Sequence, residues 1–220
     1  ECASAVWRQP DQGIWEARGK PQHYVSSKLM CWVAMDRAAK LAEIRGEPSS
    51  AADWSKAAAE IKADILEHGV DKRGVLVQHY GTEALDASTL LAAIFGFLAG
   101  DDERLRASVL AIADELTDHG FDLRYRTDET DDGLSGKEGT FVICSFWLVS
   151  ALAIIGEMRR SRDLMTRLVK IASPLGLYAE EWDGETGRHL GNFPQAFSHL
   201  AAVEAAGRIV IAERIAELGG

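Results

Sequence analysis

The chain is poor in the residues that would staple a fold or hold a metal. Its three cysteines, Cys2, Cys31 and Cys144, are an odd number without metal-ligand spacing. Cys31 and Cys144 lie in apolar runs, so they read as small core residues of a protein in a reducing, cytoplasmic compartment. There is no His/Cys cluster, no glycine loop shaped for phosphate and no Ser–His–Asp arrangement with an elbow. Basic residues are outnumbered, 24 Lys and Arg against 34 Asp and Glu. The formal net charge of −10 argues against nucleic acid or an anionic membrane surface as partner. No apolar run is long enough to span a membrane: "FVICSFWLVSALAII", Phe141 to Ile155, has fifteen residues, where a span needs about 20. Glu138 and Glu157 bracket it, and a buried core helix is predicted instead. The start, "ECASAVWRQPDQG", has neither an initiator Met nor a charged-then-apolar leader, so the chain is read as a piece of a longer protein.

Strand signals are weak and helix signals strong. With 220 residues, 47% of them hydrophobic, one domain over residues 1–220 can bury a substantial core. Eight helices are predicted: Val25–Arg45, Asp53–His68, Ala87–Ala99, Asp102–Asp118, Gly139–Glu157, Ser161–Ala172, Pro194–Ala206 and Arg208–Leu218. The odd ones carry "LMCWVAM", "LLAAIFGFLA" and "FVICSFWLV", apolar on nearly every face; "FPQAFSHLAAVEAA" is a weaker case. The even ones have one stripe each, such as Trp54, Ala58, Ile61 and Ile65. Loops from odd to even helices are short. Loops from even to odd are long: "GVDKRGVLVQHYGTEALD", "HGFDLRYRTDETDDGLSGKE" and "SPLGLYAEEWDGETGRHLGNF". The fold class is therefore all-α, with about four hairpins of an inner and an outer helix, in a solenoid or a closed toroid. All long loops then emerge at one end. The Gly- and Pro-punctuated stretch "PDQGIWEARGKPQHY", Pro10 to Tyr24, joins them there.

Long loops in compact domains commonly carry function. These hold carboxylates beside aromatics: Trp15–Glu16, and Glu180–Glu181–Trp182. They also hold Arg18, His23, His79, Tyr80, Arg124, Tyr125, Arg126 and Glu138. Sugar rings stack on Trp and Tyr, and sugar hydroxyls bond carboxylates and guanidinium groups, so the convergence points to a carbohydrate site. Two carboxylates on opposite walls of a pocket are the minimum for glycoside hydrolysis. A glutamate packed against Trp in a partly dry pocket has its charged form disfavoured, as a general acid requires. The bland readings are a partly packed Trp beside a solvated glutamate and, for "AEEWDGE", a surface acidic loop. "TDETDDG", Thr127 to Gly133, is similar to the Asp-rich metal motifs of terpene synthases, but it lies in a loop and reads as a solvated turn.

Four stretches, "PDQGIWEARGKPQHYVSSKLMCWVAMDRAAKLA", "LDASTLL", "FDLRYRTDETDDGLSGKEGTFVICSFWLVSALA" and "LYAEEWDGETGRHLGNFPQAFSHLA", closely resemble glycoside hydrolase family 15, the glucoamylases, related bacterial glucosidases and bacterial trehalases. The resemblance implies an α/α toroid of six hairpins, of which this chain would supply four. It implies hydrolysis of terminal α-glucosidic bonds with inversion. Glu16 corresponds to the general acid of the family's Trp–Glu motif and Glu180 to its general base, with Glu181 the second candidate. Trp15 should line the sugar pocket. Arg124 or Arg126 resembles the arginine that holds a glucose hydroxyl. Arg18, His23, Glu138, Glu181 and Trp182 complete the expected substrate-binding set. Fungal members carry an Asp shortly before the Trp–Glu pair; Gly13 stands there, with Asp11 as a candidate substitute.

The first expectation is an inverting exo-α-glucosidase of glucoamylase type acting on an oligosaccharide or disaccharide. A trehalase of the same family is the alternative. A reading of another class is a non-catalytic helical fragment that binds carbohydrate or protein. Two carboxylates and water suffice, so no cofactor and no metal is required. An open toroid edge between the first and last hairpins should be covered by partial closure, a partner chain or a swapped element, with self-association the favoured case.

Overall fold

In the computed structural model, which describes residues 2–128, 130 and 138–218, helices dominate. A short α1 (Cys2–Val6) precedes α2 (Val25–Arg45) and α3 (Pro48–His68). A 3-10 turn (Ala87–Leu90) runs into α4 (Leu91–Ile94), followed by α5 (Glu103–Glu115). Strands β1 (Thr117–Asp118), β2 (Phe121–Asp122) and β3 (Thr140–Phe141) lead to α6 (Val142–Ile154) and α7 (Met158–Ile171). Then come β4 (Glu181–Asp183), β5 (Arg188–Leu190) and α8 (Ala196–Leu218). The arrangement is a partial α/α toroid. The inner elements are α2, the 3-10 turn with α4, α6 and α8; α3, α5 and α7 lie outside them.

Local chemistry sets the helix ends. Gly46 at φ 73 closes α2, its N–H and that of Glu47 bonding to the Glu43 and Ala42 carbonyls, a left-handed C-terminal cap. Pro48 then starts α3 five residues earlier than expected, because proline suits the first helical turn. Asp102 caps α5 by accepting from the Arg104 N–H at 2.9 Å. The single stripes lie inward: Ile61 and Ile65 on α3, Leu105, Val109 and Ile112 on α5, Leu164 and Leu168 on α7 are all buried. Helix α6 is the central element, with nine of its residues buried.

The structure corrects three expectations. The helix expected over Ala87–Ala99 ends at Ile94. Gly96 turns at φ 71, and the Gly96 and Phe97 N–H groups bond back to Ala93 and Ala92, which sends Phe97 into the core edge-on to Trp32 at 5.0 Å. The helices expected over Pro194–Ala206 and Arg208–Leu218 are one helix, α8. Gly207 alone does not break it, and Arg208 reaches back to Glu204 at 2.5 Å across that residue. The expected burial of the inner helices holds for α6 and for the 3-10 turn with α4, but not for α2 and α8. Helix α2 leaves Met30, Leu41 and Ile44 exposed, and α8 exposes Phe197, Leu200, Val203, Val210, Ile211, Ile215 and Leu218, since each has neighbours on one side only.

Candidate active site

The four long loops are sewn together by short backbone bridges in chain order. Tyr24 pairs with His79, and the Tyr80 N–H bonds to the His23 carbonyl at 3.1 Å. Asp86 pairs with Tyr125, and the Ala87 N–H bonds to the Arg124 carbonyl at 2.8 Å. Strand β3 pairs with β4, Thr140 opposite Trp182 and Phe141 opposite Glu181, with β5 beyond. The bridges convert separate loops into one rim.

The first loop closes through Asp11 and Gln22, which exchange backbone hydrogen bonds at 2.9 Å. Asp11 also accepts from the Gly13 N–H at 2.5 Å and the Ser27 hydroxyl at 2.8 Å, which ties the loop to α2. This carboxylate thus serves the turn itself. Gly13 has φ 70, and a Cβ there would stand 2.9 Å from the Tyr24 ring. No other residue fits without displacing that ring.

Trp15 is half-buried and clamped on several sides. Its ring meets Phe141 edge-on at 5.9 Å and Trp147 at 6.2 Å. Its indole N–H points between both carboxylate oxygens of Asp86, 3.0 Å from each. The Arg124 guanidinium lies over it at 5.4 Å and over Phe141 at 4.6 Å. Glu16 follows in the left-handed region at φ 53, one of two non-glycine residues with positive φ among those described. Such strain persists only where neighbours over-determine it, and it collects at functional sites. The Glu16 side chain is exposed, so the drying against Trp15 expected from sequence is not supplied by the described residues.

Arg124 forms a two-pronged ion pair with Glu138, one contact at 3.2 Å. Burial opposes its charge, but the Glu138 carboxylate raises its pKa above the ordinary value. Glu181 is half-buried. Its Oε2 accepts from the Gly139 N–H at 2.9 Å. Burial pushes its pKa up, assisted by Glu138 and Glu180 and opposed by the Gly139 N–H and Arg124. Glu180, its strand neighbour, belongs to the opposite face by alternation and accepts from the Asn192 N–H and side-chain amide, both at 3.1 Å. Two clefts meet at Glu138, one bounded by Leu123, Tyr125 and Arg126, the other by Thr140, Trp182 and Leu190.

The structure therefore brings Trp15, Arg124, Glu138 and Glu181 into one cluster around Phe141, with Glu16 and Glu180 next to it in the chain. Others have partners of their own. Arg126 turns to the Glu115 carbonyl. His23 stacks on Tyr80 at 5.6 Å. Arg18 is exposed. Trp182 packs against His189 at 5.1 Å on the β4–β5 hairpin. Sequence reasoning missed Asp86, Gln78, Phe141 and Trp147 as site components. The local signal for Asp86 was its place before Ser88, whose N–H it caps at 2.7 Å. Of the acidic run Thr127–Gly133, residues 129 and 131–133 lie outside the described residues. Among the described residues no group of His, Cys, Asp and Glu could hold a metal, and no helix is long and apolar enough to cross a membrane.

The model of the family described as "Glycosyl hydrolases family 15" matches residues 3–207. The chain is 63% identical over its whole length to a protein named trehalase from Mycolicibacterium smegmatis, covering 33% of that protein. It is 64% identical over its whole length to a trehalase from Mycobacterium tuberculosis, covering 32%. It thus spans about a third of the length of these curated relatives. The solved glucoamylase from Saccharomycopsis fibuligera superposes with a TM-score of 0.77 at 11% identity, over 96% of this chain and 60% of that one. At that identity the likeness concerns the fold.

Proposed function

This chain belongs to glycosyl hydrolases family 15, and we propose that residues 1–220 are part of the catalytic domain of an inverting glycoside hydrolase that splits trehalose into two glucose molecules. The observation that carries the substrate is the 63–64% identity along the whole chain to two proteins named trehalase. It reverses the order of the two sequence-based expectations, which put a glucoamylase-type glucosidase first. Its three unpaired cysteines support a reducing, cytoplasmic setting.

In this reading Glu16 is the general acid. It protonates the bridging oxygen as the bond to the anomeric carbon breaks. Glu180 is the general base. It takes a proton from the water that attacks that carbon from the other face. Trp15 is the stacking wall. Arg124, levelled over Trp15 by its pair with Glu138, is favoured over Arg126 as the sugar-holding arginine. Glu180 is favoured over Glu181 as base by its place in the family motif; both carboxylates accept backbone N–H groups, and Glu181, which lies in the Arg124–Glu138 cluster, is given a role in orientation.

The test is proton NMR of the first turnovers of the full-length protein on trehalose. Inversion at one anomeric carbon gives equal α- and β-glucose, because the leaving glucose keeps its α configuration. Two α-glucose molecules would mean retention. Faster glucose release from maltose or dextrin than from trehalose would restore the glucoamylase reading. No release from any of them would leave the non-catalytic binding reading.

A further inference from the structure

We propose that Asp86 is a positioning residue: by gripping the Trp15 indole N–H from a separate loop, its carboxylate fixes the strained Trp15–Glu16 segment and so aims the acid. This rests on the reading of Glu16 as general acid.

Asp86 is 1% exposed. Every contact its carboxylate makes is with a donor: the Ser88 N–H at 2.7 Å, the Trp15 indole N–H at 3.0 Å to both oxygens, and the Gln78 side-chain amide at 3.1 Å. A cap for a four-residue 3-10 turn does not need this. Ser or Asn caps as well without placing a carboxylate in the interior, where desolvation is costly. The additional donors are what call for an acceptor-only group, and one of them lies 71 residues away in sequence. Burial pushes the Asp86 pKa up, and the Ser88, Trp15 and Gln78 N–H groups pull it back.

Asp86 is also a junction. Its backbone pairs with Tyr125, and the next residue bonds to the Arg124 carbonyl. One residue thus locates both the ring of Trp15 and the strand segment whose guanidinium covers that ring. Glu16 itself has few contacts: its N–H bond to the Gly13 carbonyl is 3.3 Å and its side chain is exposed, so it is held by its neighbours, Ala17, which bonds to the Gln12 carbonyl at 2.9 Å, and Trp15. Strain at φ 53 is thus held from both sides, by the turn bond of Ala17 and by the anchored indole of Trp15, and of these only the indole is gripped from another loop.

The test is a double-mutant cycle in the full-length protein on trehalose, with kcat, KM and melting temperature read for each variant. Misplacement of a catalytic group by about 1 Å costs on the order of 100-fold, so Asp86→Ala should lower kcat by about 10- to 100-fold with KM changed by only a few fold. In a Trp15→Phe background, which has no indole N–H to hold, Asp86→Ala should lower kcat by no more than a few fold further. Asp86→Asn should lose less kcat than Asp86→Ala, because its amide oxygen still accepts from the indole while its amide nitrogen faces the Gln78 donor. Equal losses in both backgrounds would show a merely structural cap and overturn the proposal. Should Asp86→Ala fail to fold, replacing Trp15 by 3-benzothienylalanine removes the N–H and keeps the ring. It should then give the same kcat loss, and wild-type kcat would overturn the proposal. If Glu16→Gln hydrolyses trehalose normally, the assignment of the acid fails instead. If Glu16→Gln is inactive while Asp86→Ala is normal, only the role of Asp86 fails.

Discussion

Asp122 on β2 offers a stability test that the site does not. It is fully buried, and neither carboxylate oxygen has a hydrogen-bond partner among the described residues. Its backbone N–H is satisfied by the Ser145 hydroxyl at 2.8 Å. Burial pushes its pKa well above the ordinary value, and the Arg167 charge offsets this only in part. An unpaired buried polar group costs about 1–3 kcal/mol. Valine has similar bulk, suits a strand and keeps the bond to Ser145. Asp122→Val should therefore stabilise this chain by about 1–3 kcal/mol, which at about 2–4 °C per kcal/mol raises the melting temperature by about 2–12 °C. The sign with pH follows from the direction of the shift. Because the folded pKa lies above the unfolded value of about 3.9, the folded state binds more protons in between, and wild-type stability falls as pH rises through that window. The variant lacks this slope, so its advantage should be larger at pH 8 than at pH 4. Differential scanning of both proteins at the two pH values decides. A variant less stable than wild type, or an advantage independent of pH, would refute the account by revealing a partner for the carboxylate.

The two proposed catalytic carboxylates should separate by leaving group in the full-length protein. Glu16→Gln should lose about 100- to 10,000-fold on trehalose yet hydrolyse α-glucosyl fluoride well, since departing fluoride needs no protonation, whereas Glu180→Gln should be slow on both; normal trehalose turnover by Glu180→Gln would move the base to Glu181. The isolated 220-residue chain should self-associate through the apolar row of α8, and Leu200→Glu with Ile211→Glu should restore the monomer in sedimentation; a wild-type monomer would count against this edge as an interface.

The helices were legible where their periodicity is local. The stripes of α3, α5 and α7 repeat within each helix and need no distant partner to be read. What was not legible depends on context. "LLAAIFGFLA" is apolar throughout, so periodicity gives no reason to stop at Ile94; the stop comes from the turn at Gly96 and the place of Phe97 beside Trp32. Gly207 looks like a terminator, yet α8 runs through it because the Glu204–Arg208 pair spans the weak point. The small strands were missed because pairs of two or three residues leave no alternation to detect.

The candidate site divides along the same physical line. Trp15, Glu181 and the pair Arg124 and Arg126 were legible as candidates because each carries its chemistry in its own side chain. Asp86 was not, because its contribution is relational: a carboxylate in "LDASTLL" matters only through an indole 71 residues earlier. The same holds for Arg124 over Arg126. The two are alike in sequence and alternate along one segment. The bridge at Tyr125 fixes that segment between them, leaving one guanidinium over Trp15 and the other at the Glu115 carbonyl. A toroid of helices supplies a rigid ring, but loops on it would be independent if nothing joined them. Here one bridge between each successive pair of loops makes the position of every polar group depend on its neighbours. A site assembled that way can hold a strained residue such as Glu16 with few direct contacts of its own, because the loop carrying it is closed on itself at Asp11 and Gln22 and tied through Trp15 to the next loop.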